Sequence, residues 1–418
     1  MSSSCPPSPS PALAADMPAG LPGWAVAALI AAVAGIGTEA FAVAPLLIDI
    51  ARDFDMAATD AAFAISAYGL AVAVSAPLFG LFAGHLPRRR LIAAGMVIAT
   101  IAGIVAATAQ SFGMLLAARM LSGLACGAVL PTIYAYVGDM VPFAARGRVM
   151  GRVMFGWAIT MVTGVPLAGI AAEHLGWRGT LTAAALIILV LAVAVLRLPQ
   201  PPARTATGPA AGGHDNAGGH DAAGFLARLR HAVTRPGVAA LLATNLANMV
   251  SFYGIYAYVG TALRNLEGSG AAAAGAIVLW YGVGLAGSTL NARLVDRVGK
   301  DRALTVALAV LAVDMVAMSQ SLGRPVAFEA TLILWGLAQG TVVTALNTLA
   351  TERAGTARGL VMALTSAVTY LGISTGTAVL GLVMAAHGFA AVGLAAATIS
   401  LAGVAAARVS ARQGRIGG

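Results

Sequence analysis

Charge is scarce in this chain: Lys, Arg, Asp and Glu make up 10% of its 418 residues, against about 25% in soluble domains. A fold solvated mainly by water is therefore excluded. Cysteine is nearly absent as well. Cys5 lies in a Ser/Pro/Ala-rich stretch and Cys126 inside an apolar run, which leaves no disulfide framework and no thiolate metal site. The sequence has no Gly-Lys-Ser/Thr phosphate loop, no zinc-ligand spacing and no nucleophile constellation. ATP-driven transport and enzymatic hydrolysis thus find no support, and no cofactor or metal is expected. Residues 1–22 lack the basic n-region of a signal peptide and read as a disordered tail.

What is abundant is apolar surface. Hydrophobic residues reach 59%, with 50 glycines and a mean hydropathy of +0.86, a balance that calls for lipid as solvent. A bilayer core takes about 20 apolar residues per helix. Runs of that order occur at 24–48, 61–83, 91–109, 112–137, 150–172 and 179–198, and again at 237–263, 271–292, 303–322, 325–349, 359–386 and 388–407. The expectation is an all-α integral membrane protein of twelve transmembrane helices in two six-helix halves, 23–198 and 237–407.

The basic residues report topology. Of 25 Lys and Arg, only Arg52, Arg178, Arg264 and Arg324 fall on the side opposite to a cytoplasmic N-terminus, and Arg119 lies within a run. The positive-inside rule then places both termini, including the tail 408–418, in the cytoplasm of a cell whose inner membrane holds the chain. The sequence pI near 10.2 needs no nucleic acid to explain it, since anionic lipid head groups suffice. Segment 199–236 is Pro/Gly-rich and carries a tandem GGHD at Gly212 and Gly218. It reads as a flexible cytoplasmic linker, its His and Asp residues as low-complexity drift.

The halves are related internally. At an offset of 212, Arg146-Gly147-Arg148-Val149-Met150 falls on Arg358-Gly359-Leu360-Val361-Met362, and Gly164 and Gly169 fall on Gly376 and Gly381. The basic turn Gly84–Arg90 falls on Asp296–Arg302. One residue further, Gly123-Leu124-Ala125-Cys126-Gly127 falls on Gly336-Leu337-Ala338-Gln339-Gly340. Duplicated six-helix halves form an architecture for rocking about a central site.

Several of these segments resemble the major facilitator superfamily, over about 24–408. The turn Gly84–Arg90 is similar to that family's G-x-L-A-D-R-x-G-R-R signature, and Asp296, Arg297 and Gly299 carry its Asp-Arg-x-Gly core. Arg119, Gly123 and Gly127 resemble its second motif. Gly164-Val165-Pro166-Leu167-Ala168-Gly169 resembles a loosened antiporter motif. Together with Thr38-Glu39, the resemblance implies the proton-driven drug and metabolite efflux branch, and hence multidrug resistance. It also implies a gating role for Arg88, Arg89, Arg90, Asp296, Arg297, Gly299, Arg302, Gly164 and Pro166. Gly84 stands where the family has its latching Asp, and His85 where Arg is usual, so Asp296 is left to carry that role alone.

Ionisable groups inside a membrane cost about 2.5–3.5 kcal/mol on insertion scales and mark function by default. At about 1.5 Å per residue, Glu39 lies some 13 Å below the outer end of the first run and Arg119 some 10 Å into the fourth. They are expected to face one another or to compete for water and substrate. A pair whose separation changes between two states takes up and releases a proton; a static ion pair is the alternative. Asp314 is expected to make a hydrogen bond to a neighbouring helix or a lipid contact, and Glu329 to sit at the interface. Asn245, Asn248, Phe252 and Tyr256 share one face of the seventh helix, and Trp335 and Gln339 one face of the tenth. Both faces suit a neutral or amphipathic organic solute, with interhelical hydrogen bonding as the competing use.

The reading is a monomeric exporter of a small organic solute in exchange for protons. An uncoupled or import-direction facilitator of a sugar or other metabolite shares nearly every feature, and a non-transporting receptor on the same scaffold is the remote alternative.

Overall fold

The computed structural model describes residues 21–82, 87–200, 222–267, 271–288, 295 and 297–416. Among these, nine helices are long and apolar enough to cross a bilayer. Two of the nine are double. The stretches Ala145–Leu196 and Arg358–Gly414 have 52 and 57 residues, about 78 and 85 Å of helix where one crossing needs about 30. Each turns back at a glycine, Gly176 (φ 68°, ψ 172°) and Gly388 (φ 75°, ψ −177°). The shorter apolar helix Gly275–Gly287 completes twelve passes.

In chain order α1 comprises Gly23–Phe41 and Val43–Asp53, and α2 is Phe63–Phe82, entered by the single turn Ala58–Ala61. Next come α3 (Arg88–Ala107) and α4 (Phe112–Met140). The pass α5 runs from Phe143–Met154 through Gly156–Ile159 and a π-helical turn, Thr160–Gly164, into Val165–Leu196, of which the part beyond Gly176 is α6. The second half has α7 (Val238–Glu267), α8 (Ala271–Gly287), α9 (Lys300–Gln320) and α10 (Pro325–Arg353). Arg358–Ile416 supplies α11 up to Gly388 and α12 beyond it.

The repeat is spatial as well as sequential. Gly176 and Gly388 stand 212 residues apart, so the two hairpin corners are one feature used twice. A β-carbon at Gly123 would lie 2.4 Å from the Tyr68 carbonyl oxygen, and one at Gly336 would lie 2.0 Å from that of Tyr281. Helix α4 therefore rides on α2 as α10 rides on α8, with residues displaced by 213 in both partners. Lipid offers helices no hydrophobic drive to associate, and close backbone approach takes its place. The halves meet through the same device. Gly69 of α2 lies under Tyr370 and Ile373 of α11, and Gly282 of α8 lies under Met161 and Val162 of α5.

Prolines place the breaks. Pro45 cannot bond the carbonyl of Phe41, where α1 divides, and Pro166 cannot bond that of Val162, inside the π turn. Two sequence expectations are corrected. The linker read as flexible contains a helix, Ala222–Val233, consistent with apolar Phe225, Leu226, Leu229, Ala232 and Val233 recurring at helical spacing; the GGHD repeats lie outside the described residues. The segment 408–418, read as a tail, continues α12 to Ile416. It docks on the start of α7, where Ser410 donates to the Gly237 carbonyl at 2.6 Å and Gln413 accepts from the Gly237 amide at 3.2 Å.

Nothing lies within 4 Å of a β-carbon placed on Gly176 or Gly388, so backbone strain alone dictates glycine there. Each Gly→Ala substitution is expected to cost on the order of 1–3 kcal/mol, read as a lower thermal unfolding midpoint of purified protein. Gly113→Ala, at ordinary φ and equally open, is expected to leave the midpoint unchanged.

Candidate functional site

The structure brings Glu39 and Arg119 together. They form an ion pair between α1 and α4, 3% and 1% exposed. Both come from helix interiors: Glu39 lies in the last turn of Gly23–Phe41 before the Pro45 break, and Arg119 two turns into α4. Ser122, one turn after Arg119, donates to the same carboxylate oxygen at 2.9 Å. The guanidinium carbon of Arg119 sits 4.5 Å from the ring centroid of Tyr68 on α2, a cation–π contact strengthened by desolvation. Satisfaction is incomplete, however. Glu39 Oε2 and Arg119 Nε and Nη2 are buried without hydrogen-bond partners among the described residues.

The second half answers this charge with aromatic rings. The repeat puts Ser251 where the first half has Glu39, and Leu332 where it has Arg119. Around them Phe252 stacks on Tyr256 (centroids 5.9 Å apart, interplanar angle 7°) and packs against Trp335 at 4.9 Å and Tyr281 at 5.6 Å. Asn248, Trp335 Nε1 and Gln339 Oε1 are buried without hydrogen-bond partners among the described residues. Asn245 stands apart from the set. Its amide donates to the Thr365 carbonyl and to Thr369 Oγ1 at 3.0 and 2.9 Å, so α11 occupies it.

Phe41 joins the two environments. It lies two residues after Glu39, and its ring meets Tyr253 and Tyr256 of α7 at 5.7 and 5.3 Å and Trp157 of α5 at 6.0 Å. The carbonyl that Pro45 leaves free accepts from the Tyr256 hydroxyl at 3.0 Å. One turn and more beyond, Arg264 of α7 grips Asp49 of α1 through two bonds of 2.9 and 3.0 Å and reaches the Pro45 carbonyl at 3.3 Å. A bidentate, charge-assisted clasp thus ties the halves at the end opposite the basic turns.

At the basic end Arg88 pairs with Asp139 at 3.3 Å and Lys300 with Glu352. The repeat relates the two pairs, and each lies within one half. Arg89 donates to the Leu198 carbonyl at 2.9 Å; Arg90, Arg297 and Arg302 are exposed. Gly299, at φ 90°, caps α9. Gly164 packs on Thr38 of α1, and Pro166 lies under Gly275 of α8. Gly84, His85 and Asp296 lie outside the described residues. Sequence reasoning missed Ser122, Tyr68, Phe41, Asp49 and Asp139 with Glu352. Helical spacing from Arg119 would have found the first, and the 213-residue offset the last two.

Twelve passes in two halves of matching helix order, with a buried charge pair in the first and an aromatic cluster in the second, are the architecture of a membrane transporter family. The profile of the Major Facilitator Superfamily matches residues 27–377, and the chain belongs to that family. It is 34% identical over 376 residues to the MFS-type transporter YwfA of Bacillus subtilis (strain 168), covering 90% of this chain and 89% of that one. It is 27% identical over 354 residues to the inner membrane transport protein YdhP of Escherichia coli (strain K12), covering 84% and 86%. To a chloramphenicol resistance protein of Streptomyces lividans it is 29% identical over 309 residues, covering 74% and 76%. The fold is similar to that of a bacterial homologue of the human lysosomal transporter Spinster in an inward-facing, unoccupied conformation. There the TM-score is 0.73 at 14% identity, over 93% of this chain and 97% of that one.

Removing one member of a buried ion pair strands the other, at roughly 3–5 kcal/mol, whereas removing both costs much less. Arg119→Met is therefore expected to lower the unfolding midpoint in nanodiscs more than the double variant Glu39→Gln/Arg119→Met does. Equal losses would mean that the Glu39 carboxylate left without Arg119 carries no penalty of its own.

Proposed function

We propose that this transporter exports a small organic solute by alternating access, admitting protons in exchange. The observation that carries the reading is the Glu39 carboxylate: one oxygen is held by Arg119 and Ser122, the other is buried and unpartnered among the described residues. A carboxylate so placed has a vacant lone pair for a proton, and its ionic partner among the described residues sits on another helix. Protonation removes the charge that holds Arg119, and all five N–H donors of the guanidinium are then free of the carboxylate to engage water or a solute. Return of the carboxylate charge draws Arg119 back and releases the proton. A site that passes between these two states as its helices move converts a proton gradient into solute movement.

The aromatic cluster of Phe252, Tyr256 and Trp335, with Asn248 and Gln339 one helical turn from Phe252 and Trp335 and carrying polar atoms unpartnered among the described residues, supports a solute with a planar apolar body and a few polar groups. The chloramphenicol resistance relative supports export. Positive-inside charge puts the basic end and both termini in the cytoplasm, so the Arg264–Asp49 clasp closes the outer face and this conformation precedes outward opening. Asp139, Glu352, Arg88 and Lys300 brace each half as a rigid body while the halves rock. One chain holds a complete site, and a monomer suffices.

In inverted vesicles energised by respiration, a transported compound is expected to collapse the proton gradient reported by a pH-sensitive dye. In Glu39→Gln that signal is expected to fall at least tenfold, while solute–solute exchange, which moves no net proton, persists. Collapse that is undiminished in Glu39→Gln, or wild-type flux that ignores the gradient, would sink the coupling. Separately, Asp49→Asn is expected to weaken the clasp and lengthen spin-label distances between the outer ends of α1 and α7. An unchanged distance distribution would remove Arg264 and Asp49 from the outer gate.

A further inference from the structure

A second buried carboxylate stands apart from the transport site. Asp314 of α9 is 1% exposed, and neither of its oxygens has a hydrogen-bond partner among the described residues. Of the two uses expected from the sequence, a hydrogen bond to a neighbouring helix or a lipid contact, the first is not made among the described residues. Asp314 instead lines a cleft of about 520 Å³ between α9 and α10, walled by Val306, Val310, Val313, Thr331 and Leu334. Val313 is 72% exposed and Val306 59%, so the cleft opens outward on the bundle surface, where lipid lies. Leu334 faces the cleft while the next residue, Trp335, belongs to the central cluster; α10 is the wall between them.

We propose that this cleft binds a lipophilic amine from the membrane, with Asp314 as the counter-ion of its ammonium group. Three observations converge. A carboxylate is held as a charge in hydrocarbon only beside a cation that donates to it, because an unpaired charge there costs several kcal/mol. Glu39 meets that need with Arg119, but the described chain offers Asp314 nothing. The walls are otherwise apolar, at a volume typical of pockets for drug-sized molecules. The one further polar group is the Thr331 hydroxyl, which donates to the Phe328 carbonyl at 2.6 Å and so keeps its oxygen free to accept from a second N–H. An aminophospholipid carries the same ammonium but fits poorly. Asp314 lies six residues, about 9 Å, inside the Gln320 end of α9. To reach it the lipid would have to bury its phosphate alongside, and no basic residue lines the cleft to receive one.

The test uses the full chain in nanodiscs of phosphatidylcholine and phosphatidylglycerol. The probe is a diazirine-bearing dodecylamine, compared with the diazirine alcohol of the same length. Photolabelling read by peptide mass spectrometry is expected on α9 and α10 near Val313 and Leu334, at least tenfold stronger for the amine than for the alcohol. Asp314→Asn removes the charge at constant volume, and Ala330→Phe fills the cleft while keeping the carboxylate; each is expected to abolish the preference in monodisperse protein. Glu39→Gln is expected to leave it intact, which separates this site from the central one. Equal labelling by amine and alcohol, labelling undiminished in Asp314→Asn, or labelling confined to α1, α4 and α7 would overturn the proposal. Displacement of the probe by added phosphatidylethanolamine would assign the cleft to lipid and overturn it equally.

Discussion

Helices in hydrocarbon gain nothing by hiding apolar side chains from a solvent that is itself apolar. What remains to hold them is contact at short range, and the whole bundle depends on it. The crossings of α4 on α2 and α10 on α8 occur where Gly123 and Gly336 bring backbone within van der Waals reach of a neighbouring carbonyl. The surfaces between the halves, α2 on α11 and α5 on α8, are made the same way through Gly69 and Gly282. Close backbone contacts suit surfaces that rock past each other, and few side-chain bonds cross them: Ser66 donates to the Ser374 carbonyl between α2 and α11 at 3.1 Å.

The polar interactions acquire weight in that setting because lipid supplies no competing water. Pro45 illustrates the economy of the arrangement. By withholding one N–H it divides α1 just after Glu39 and frees the Phe41 carbonyl, which Tyr256 of the other half then caps. A local defect in one helix thereby becomes a link between halves, four residues before the Arg264–Asp49 clasp at the outer end. The charged site, the aromatic site and the outer clasp are strung along one segment, Glu39 to Asp49. Movement of that segment against α7 alters all three together.

Duplication produced two halves with one backbone plan, and substitution then gave them different chemistry. Residues that brace the plan agree across the offset: Gly176 with Gly388, Tyr68 with Tyr281, Arg88 and Asp139 with Lys300 and Glu352. Residues at the centre disagree: Glu39 with Ser251, Arg119 with Leu332, Ser122 with Trp335. The first half keeps the charge and the second keeps the rings. Asp314 has no counterpart in this scheme, since the position 212 residues earlier is Ala102, which accords with a site peripheral to the cycle.

The count of passes, the pairing of the halves and the depth of Glu39 and Arg119 were legible from the chain alone. Each follows from a local quantity: run length against bilayer thickness, a constant offset, or the helical rise per residue. Glycine corners and proline breaks belong to the same kind, because φ and a missing N–H are properties of single residues. The sequence could not say which face of each helix meets which neighbour. These helices are apolar nearly all round, so the period that orients an amphipathic helix against its core is missing. Hence Asn245, on the same face as Asn248, is taken up by α11 while Asn248 has no partner among the described residues, and Arg264 pairs with Asp49 of the other half. Asp314, for which a neighbouring helix and lipid were both open, lines a cleft between α9 and α10. Rotation of each helix about its own axis was decided only when twelve of them packed, since it depends on small residues and polar partners contributed by other parts of the chain.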